Sequence, residues 1–587
     1  MKLIKTLSLY IILFATSTLL AQKAKIKKAE KSYNAFAYSK AINIYEEIAD
    51  KEVESTDLLK KVGNSYYFNA DLANAKKWYD KLFNKEGEIE PEYYFRYSHS
   101  LKSIGNYEKA DKIMSSFYTL TNSSDKRGIL FEKTPDYLEK IKIQSDRYEI
   151  ENLNINSKYS DFAPSFYNNK LIFSSERDTI LVSKNKDDDR VFLDLFSSDI
   201  SSDEKLNQVI KFSSSINTEF HESTSVFTSD GNTVYFTRNN FSNNKLKKDS
   251  KGTIKLKIYK ASKNSNGEWS SGDELPFNND EYSVAHPSLN LEENKLYFSS
   301  DMPGGYGLSD IYEVDINPDG TFSSPKNLGE EINTEGRETF PFISKNGKLY
   351  FSSNGRPGLG GLDIYVITLS DNITDKTIYN LGEPINSSFD DFSFIIDDET
   401  KKGYFASNRP DGKGKDDIYR FCEALPLVEN KNKIDEEIVI TNSQEQNIEI
   451  EKQTIRKDVT PEKNLVTPAP NLRFNPIYFD FDRYNIREDA KSELNKIILA
   501  MKEYPNIKVE IKSHTDSRAN NIYNMKLSNK RAIATINYLV KRKIERSRLS
   551  STGYGETKLK NNCSNGIKCL EKKHKQNRRA EFVIIYN

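Results

Sequence analysis

The sequence predicts a multidomain chain of three successive architectures: an all-α helical repeat, an all-β array of short strands, and an α+β domain at the C-terminus. Three observations predict this. Near the N-terminus Ala41, Ala75 and Ala110 recur 34 and 35 residues apart, each followed four residues later by Tyr45, Tyr79 or Met114. In the middle, a strand motif carrying Tyr312, Tyr365 and Tyr419 recurs at intervals of 53 and 54 residues. The end of the chain alternates period-2 and period-3.6 apolar patterns. A chain of 587 residues exceeds what one core holds. Lys+Arg and Asp+Glu are both 86, and this zero net charge argues against nucleic acid as the main partner, since neutralising phosphates needs a basic excess.

The first residues read "MKLIKTLSLYIILFATSTLLAQ". Lys2 and Lys5 precede an apolar run from Leu7 to Phe14, and Ala21 is a small residue for cleavage before Gln22. This pattern predicts a signal peptide over 1–21, too short to persist as a membrane span. No cysteine stands at the expected cleavage region just after the apolar run, and no later stretch reaches the roughly 20 apolar residues that a spanning helix needs. The mature protein is expected to be exported and soluble in the periplasm.

Residues 22–130 hold "YSKAINIYEEI", "LANAKKWYDKL" and "YEKADKIMSSF". The small residues, the aromatics one turn on and the constant period resemble tetratricopeptide repeats, in contrast to a generic helical bundle. The resemblance implies paired antiparallel helices and a protein-binding surface.

From 147 to 422 the motifs "KLYFSSDMPGGYGLSDIYEV", "KLYFSSNGRPGLGGLDIYVI" and "KGYFASNRPDGKGKDDIYRF" recur, with two looser copies before them. Four short strands per copy predict propeller blades. The last copy stops after its third strand, and "YEIENLNIN" (148–156) looks like an orphan fourth strand, so pairing the two would close five blades. Six remain open if insertions near 180–190 or 240–255 hide another. The motifs resemble the WD-like propeller repeats of TolB-type envelope proteins. Asp310, Asp363 and Asp417 recur at one position, which favours turn chemistry over catalysis, because a catalytic site is built once. Residues 423–470 read as a linker.

The remainder, 471–587, predicts strand "PIYFDF", helix "REDAKSELNKIILAMKEY", strand "KVEIKSH", helix "LSNKRAIATINYLVKR" and strands around "LSSTGYG" and "RRAEFVIIY". On this reading Asp516 lies in a polar loop and Arg531 near a helix N-terminus. The pair is open to three readings: a catalytic pair, a structural salt bridge, or a clamp for a ligand carrying both charges. "YFDFDRYNI", "SHTDSRANNIYNMKLSNKRA", "GYGE" and "NRRAEF" resemble the OmpA-type peptidoglycan-binding domain. The resemblance implies that Asp516 and Arg531 hold the ammonium and carboxylate of diaminopimelate in the stem peptide. It adds Asp482, Thr515, Asn524 and Arg578, from the same motifs, in support. One departure is Ser513, where that family usually has Gly. In "CSNGIKC" Cys563 and Cys569 are expected to form a disulfide, with zinc as the rival reading. Cys422 is left over, and no cofactor or metal is expected.

The order of modules resembles multidomain OmpA-family envelope proteins of Bacteroidetes, some of which serve type IX secretion and gliding. That resemblance implies a non-enzymatic scaffold that binds peptidoglycan at one end and outer-membrane or periplasmic proteins at the other. The alternative is an envelope hydrolase with a catalytic propeller. It finds no G-x-S-x-G, H-E-x-x-H or P-loop motif in its favour.

Overall fold

The computed structural model describes residues 24–49, 55–177, 192–201, 205–242, 245–369, 377–428, 474–504, 506–519, 521–565, 567 and 569–586. The expected signal peptide (1–21), the insertion near 180–190, Gly566 and residues 429–470 of the expected linker lie outside these. The chain divides into two compact units, Met1–Glu436 and Glu437–Asn587.

After a helical stretch over 24–34, the first unit has helices α1 (Tyr38–Ala49), α2 (Thr56–Phe68), α3 (Leu72–Phe83), α4 (Pro91–Lys102), α5 (Tyr107–Leu120), α6 (Lys126–Glu132) and α7 (Tyr137–Gln144). Their starts carry local signals, since Ser55, Asp71 and Asn106 accept from Leu58 N, Asn74 N and Lys109 N. Ala41, Ala75 and Ala110 are fully buried, where a larger side chain would separate the helices. At Gly63 an added Cβ would lie 2.5 Å from Tyr79 Cε1, so glycine is what lets α2 and α3 touch. Helix formation continues past residue 130, and α5 to α7 do not end in solvent. Phe95, Phe117, Phe131, Tyr137 and Ile141 share one apolar cluster with Leu359 of the β region. Lys102 Nζ donates to Gly358 O at 3.0 Å and Tyr107 Oη to Leu359 O at 3.0 Å. Helices and strands therefore form one body instead of two linked modules.

Among the described residues the β region consists of five four-stranded antiparallel sheets. The innermost strands are β2 (Asp161–Tyr167), β3 (Glu222–Phe227), β4 (Val284–Leu289), β5 (Glu338–Ile343) and β6 (Asp391–Asp397), preceded by β1 (Tyr148–Asn152) and followed by β7 (Asp417–Glu423). Each inner strand packs on the next and β6 packs on β2, which closes a ring. The closing sheet mixes both ends of the region: β1 pairs with β7, Tyr148 opposite Glu423 and Asn152 opposite Tyr419. Among the described residues, 240–255 add a short two-stranded hairpin, Phe241–Ser242 with Lys245–Leu246, and not a further four-stranded sheet.

Repeated polar groups stitch the ring. Asp161 pairs with Arg177, Glu222 with Arg238 and Asp391 with Arg409, all with buried carboxylates. Asn156, Asn217, Asn278, Asn333 and Asn386 accept from backbone N–H groups of third strands. Asp310 accepts from Tyr306 N and Gly307 N, and Asp417 from Lys413 N and Gly414 N, so these recurrent carboxylates hold the Gly-rich turns. The inner strands bulge, and Ala163, His286, Phe340 and Ser393 take φ between 49° and 59° there. The bulges aim side chains at the axis. Phe162 meets Phe392 at 5.9 Å, Phe392 meets Phe340 at 5.1 Å, and Phe340 meets His286 at 3.8 Å between centroids. His286 Nδ1 lies 2.8 Å from Thr224 Oγ1, so each inner strand supplies one member of this layer.

The second unit has strands β8 (Ile477–Tyr478), β9 (Ile507–Ser513), β10 (Leu549–Gly553) and β11 (Arg579–Tyr586) in the order β8-β11-β9-β10. Only β9 and β10 run parallel. Helices α8 (Glu488–Glu503) and α9 (Asn521–Val540), with the short α10 (Glu571–Asn577), complete it. Leu494, Ile497 and Met501 of α8 meet Val509, Ile511, Ile536 and Leu539 in its core.

Candidate functional site

Helix α9 starts at Asn521, six residues before the apolar pattern predicts, and Arg531 is therefore in its interior and not at its N-terminus. The buried stripe over the first half reads Asn524, Leu527, Ser528, Arg531 and Thr535. These follow helical spacing but are mostly polar, so hydrophobic periodicity does not register them. The attraction of a helix N-terminus for a ligand anion consequently does not apply at Arg531.

The loop after β8 and the loop after β9 meet this stripe. All six expected residues come together here: Asp482, Thr515, Asp516, Asn524, Arg531 and Arg578 line one small cleft of about 30 Å³, with Phe481 and Tyr523 at its edge. Arg531 is fully buried. Its Nε, Nη1 and Nη2 donate to the carbonyls of Arg483, His514 and Asp480 at 2.9, 3.1 and 3.0 Å. A guanidinium has five N–H donors, so two remain. Among the described residues it has no carboxylate partner within ion-pair distance. Burial, with Arg578 nearby, lowers its pKa to about 10.

Asp516 is 4% exposed and is not paired with Arg531. Its Oδ2 accepts from Arg578 Nη1 at 2.8 Å and Arg518 Nη2 at 2.7 Å. Burial raises its pKa, but the hydrogen bonds from Arg518 and Arg578 outweigh this and hold it below the ordinary value. Oδ1 takes only a long 3.4 Å contact from Arg518 N. The structural salt bridge between Asp516 and Arg531 is thus absent, and both charges keep unused hydrogen-bonding capacity.

The supporting residues have distinct places. Asp482 has φ of 53° and accepts from Tyr523 Oη. Asn524 donates to Ala519 O and to Glu556. Thr515 donates its N–H to Gly555 O, while its buried Oγ1 has no partner. Arg578 is held by Phe479 O and Glu571 as well as by Asp516. Cys563 and Cys569 are disulfide-bonded, and Cys563 O accepts from Ser517 Oγ at 2.5 Å, which fixes the residue beside Asp516. Sequence reasoning missed Arg518 and Glu571. Arg518 stands two residues from Asp516 within the quoted motif, but Glu571 lies on a separate short helix and had no signal.

Residues 478–569 match the OmpA family. The C-terminal domain is OmpA-like. A peptidoglycan-associated lipoprotein of Rhizobium meliloti is 37% identical over 108 residues, 18% of this chain and 58% of the relative. Outer membrane porin F of Pseudomonas aeruginosa is 35% identical over 83 residues, 14% of this chain and 24% of the porin. A photosystem I P700 chlorophyll a apoprotein A2 of Gloeobacter violaceus is 39% identical over 109 residues, and only 12% of that protein is spanned. Such partial coverage carries a domain across and not a whole protein's role. The solved peptidoglycan-associated lipoprotein from Burkholderia pseudomallei shares 27% identity over 19% of this chain and 89% of its own, with a TM-score of 0.17. An α-L-arabinofuranosidase from Lactobacillus brevis covers 46% of this chain at 11% identity and a TM-score of 0.30, which bears on neither fold nor activity.

Proposed function

We propose that the protein is a non-enzymatic periplasmic scaffold that anchors an outer-membrane-associated assembly to peptidoglycan. On this reading the OmpA-like domain clasps diaminopimelate, and the helices and the ring, as tetratricopeptide repeats and a five-bladed propeller, contact envelope proteins. One observation carries it: Arg531 is a buried cation without a carboxylate, beside a buried carboxylate that keeps one oxygen uncommitted. A buried charge without a counter-charge is costly, and an incoming carboxylate relieves it. The carbon end of diaminopimelate bears an ammonium and a carboxylate together. Asp516 Oδ1 would receive the ammonium, and the two remaining N–H groups of Arg531 the carboxylate. Thr515, Asn524, Asp482 and Arg578 shape the cleft around them. A place in type IX secretion or gliding belongs to the same proposal, as the setting that the module order suggests.

A hydrolytic ring is the poorer reading. The recurrent carboxylates are tied into turns or paired with arginine, and burial lowers the pKa of His286 to about 3, so it is neutral. The test is sedimentation of the full chain with diaminopimelate-type peptidoglycan in the presence of free diaminopimelate or free lysine. Diaminopimelate is expected to release the protein and lysine to leave it bound. Release by neither, or equally by both, would refute the clamp.

A further inference from the structure

A guanidinium beside a carboxylate favours the paired fork, with two parallel N–H bonds to the two oxygens. Arg518 does not adopt it on Asp516. Its Nε and Nη2 both point at Oδ2, at 3.2 and 2.7 Å, and Oδ1 receives only the long contact from Arg518 N. The third nitrogen shows why. Nη1 donates to Glu571 Oε2 at 2.7 Å. Glu571 Oε1 in turn accepts from Arg578 Nη2 at 2.8 Å, while Arg578 Nη1 reaches Asp516 Oδ2 and Nε the carbonyl of Phe479. Asp516, Arg518, Glu571 and Arg578 thus close a cycle of alternating charge, and both guanidiniums are drawn to one oxygen of Asp516.

Two features separate Glu571 from an isolated surface ion pair, which contributes little. The first is its anchorage. Glu571 opens α10 two residues after Cys569, and the disulfide joins Cys569 to Cys563, whose carbonyl accepts from Ser517 Oγ. Ser517 is the residue between Asp516 and Arg518, so the two ends of the charge cycle are tied to each other through this loop. The second is the charge balance. Among the described residues that line the cleft, Asp482 and Asp516 stand against Arg531 and Arg578. Arg518 adds a third cation at Asp516, and Glu571 cancels it. The end of diaminopimelate is a neutral zwitterion. A balanced cleft suits both its halves, whereas a surplus cation favours the carboxylate and repels the ammonium.

We infer that Glu571 is a positioning residue of the clamp: by holding Arg518 and Arg578 it keeps Asp516 Oδ1 open for the ligand ammonium. This rests on the reading of Asp516 and Arg531 as a diaminopimelate clamp, and deepens it. Arg518 has a side chain 31% exposed and lies over the exposed ring of Phe481 at 4.0 Å, so it has room to turn. Released from Glu571, it closes its fork over both oxygens of Asp516. Arg578 is buried and tied to Phe479 O, and stays in place. The carboxylate seat is untouched, because none of the three bonds of Arg531 involves Glu571. The loss therefore falls on recognition of the ammonium.

The experiment is isothermal titration calorimetry of the full chain with diaminopimelate and with pimelate, the same dicarboxylate without its ammonium groups. Wild type is expected to bind diaminopimelate the more tightly. In Glu571→Gln diaminopimelate affinity is expected to fall roughly tenfold, the worth of one hydrogen bond to a charged group, with pimelate affinity unchanged or higher. The Glu571 side chain is 59% exposed, so this variant does not put folding at risk. Adding Arg518→Gln removes the side chain that closes over Oδ1 and restores the charge balance. The double variant is expected to bind diaminopimelate within a few-fold of wild type. A wild-type preference for diaminopimelate over pimelate in Glu571→Gln overturns the inference and leaves the clamp standing. So does an equal loss of both ligands that the double variant does not repair, which makes Glu571 a support of α10 and nothing more. Failure of wild type to prefer diaminopimelate refutes the clamp itself, and this inference with it.

Discussion

Three arginines of the ring and Arg531 of the C-terminal cleft are held in opposite ways, while Arg356 of the ring, like Arg531, donates to carbonyls. In the ring Arg177, Arg238 and Arg409 each meet a buried carboxylate, three times in equivalent positions. In the cleft Arg531 meets only carbonyl oxygens, and Asp516 has two arginine partners of its own. Repetition in three of the five sheets marks the first arrangement as architecture. The unmatched Arg531 cation beside the Asp516 carboxylate is the arrangement on which the proposed clamp rests.

The largest effect should come from breaking the architectural kind. Asp391→Ala strands Arg409 in the ring and is expected to destabilise the first unit by about 3–5 kcal/mol in urea unfolding. Peptidoglycan sedimentation should not change. An equal loss of peptidoglycan binding would erase the distinction drawn between the two regions.

Asp516→Asn should do the converse. Arg518 and Arg578 keep Glu571, so the domain is expected to stay folded by circular dichroism, while binding to diaminopimelate-type peptidoglycan falls by about 2–5 kcal/mol. Arg531→Lys should fail in the same assay, since a point charge cannot reach three carbonyls and a ligand carboxylate together. Arg531→Ala is the poorer probe: it removes three hydrogen bonds that join the loop after β8 to the end of β9.

A smaller effect is expected at the disulfide. Replacing Cys563 and Cys569 by Ser should cost about 2 kcal/mol of C-terminal domain stability for so short a loop. Neither cysteine of the oxidised wild-type protein should label with a thiol reagent, whereas Cys422 remains available as the internal control.

The smallest is a pH effect. The folded-state pKa of Asp516 lies below the ordinary 3.8, so its contribution to stability is present above 3.8 and is lost as pH falls through the lower folded value. Acid unfolding of the C-terminal domain should shift to higher pH in Asp516→Asn than in wild type if the carboxylate's pairing stabilises the fold. An unchanged acid transition would show that Arg518 and Arg578 contribute to the site alone.

Much of this was legible in the residues. Small residues at a 34-residue period could only mean helices in close contact, and Ala41, Ala75 and Ala110 are buried at those contacts. The orphan strand at 148 finds its place beside β7, because an unfinished sheet leaves unpaired backbone groups that the other end of the region satisfies. The six cleft residues were named from motif resemblance and do meet in space. What sequence by itself determined was therefore the periodic and the local: helix contacts, turn residues and strand order. Tertiary structure alone decided that the helices share a core with the ring through Leu359, that α9 begins six residues early, and that Arg531 faces carbonyls while Arg578 and Arg518 take Asp516. The physical reason is the same in each case. A hydrogen bond or ion pair between distant segments leaves no period in the chain, so its partner is chosen only when the fold brings the two ends together.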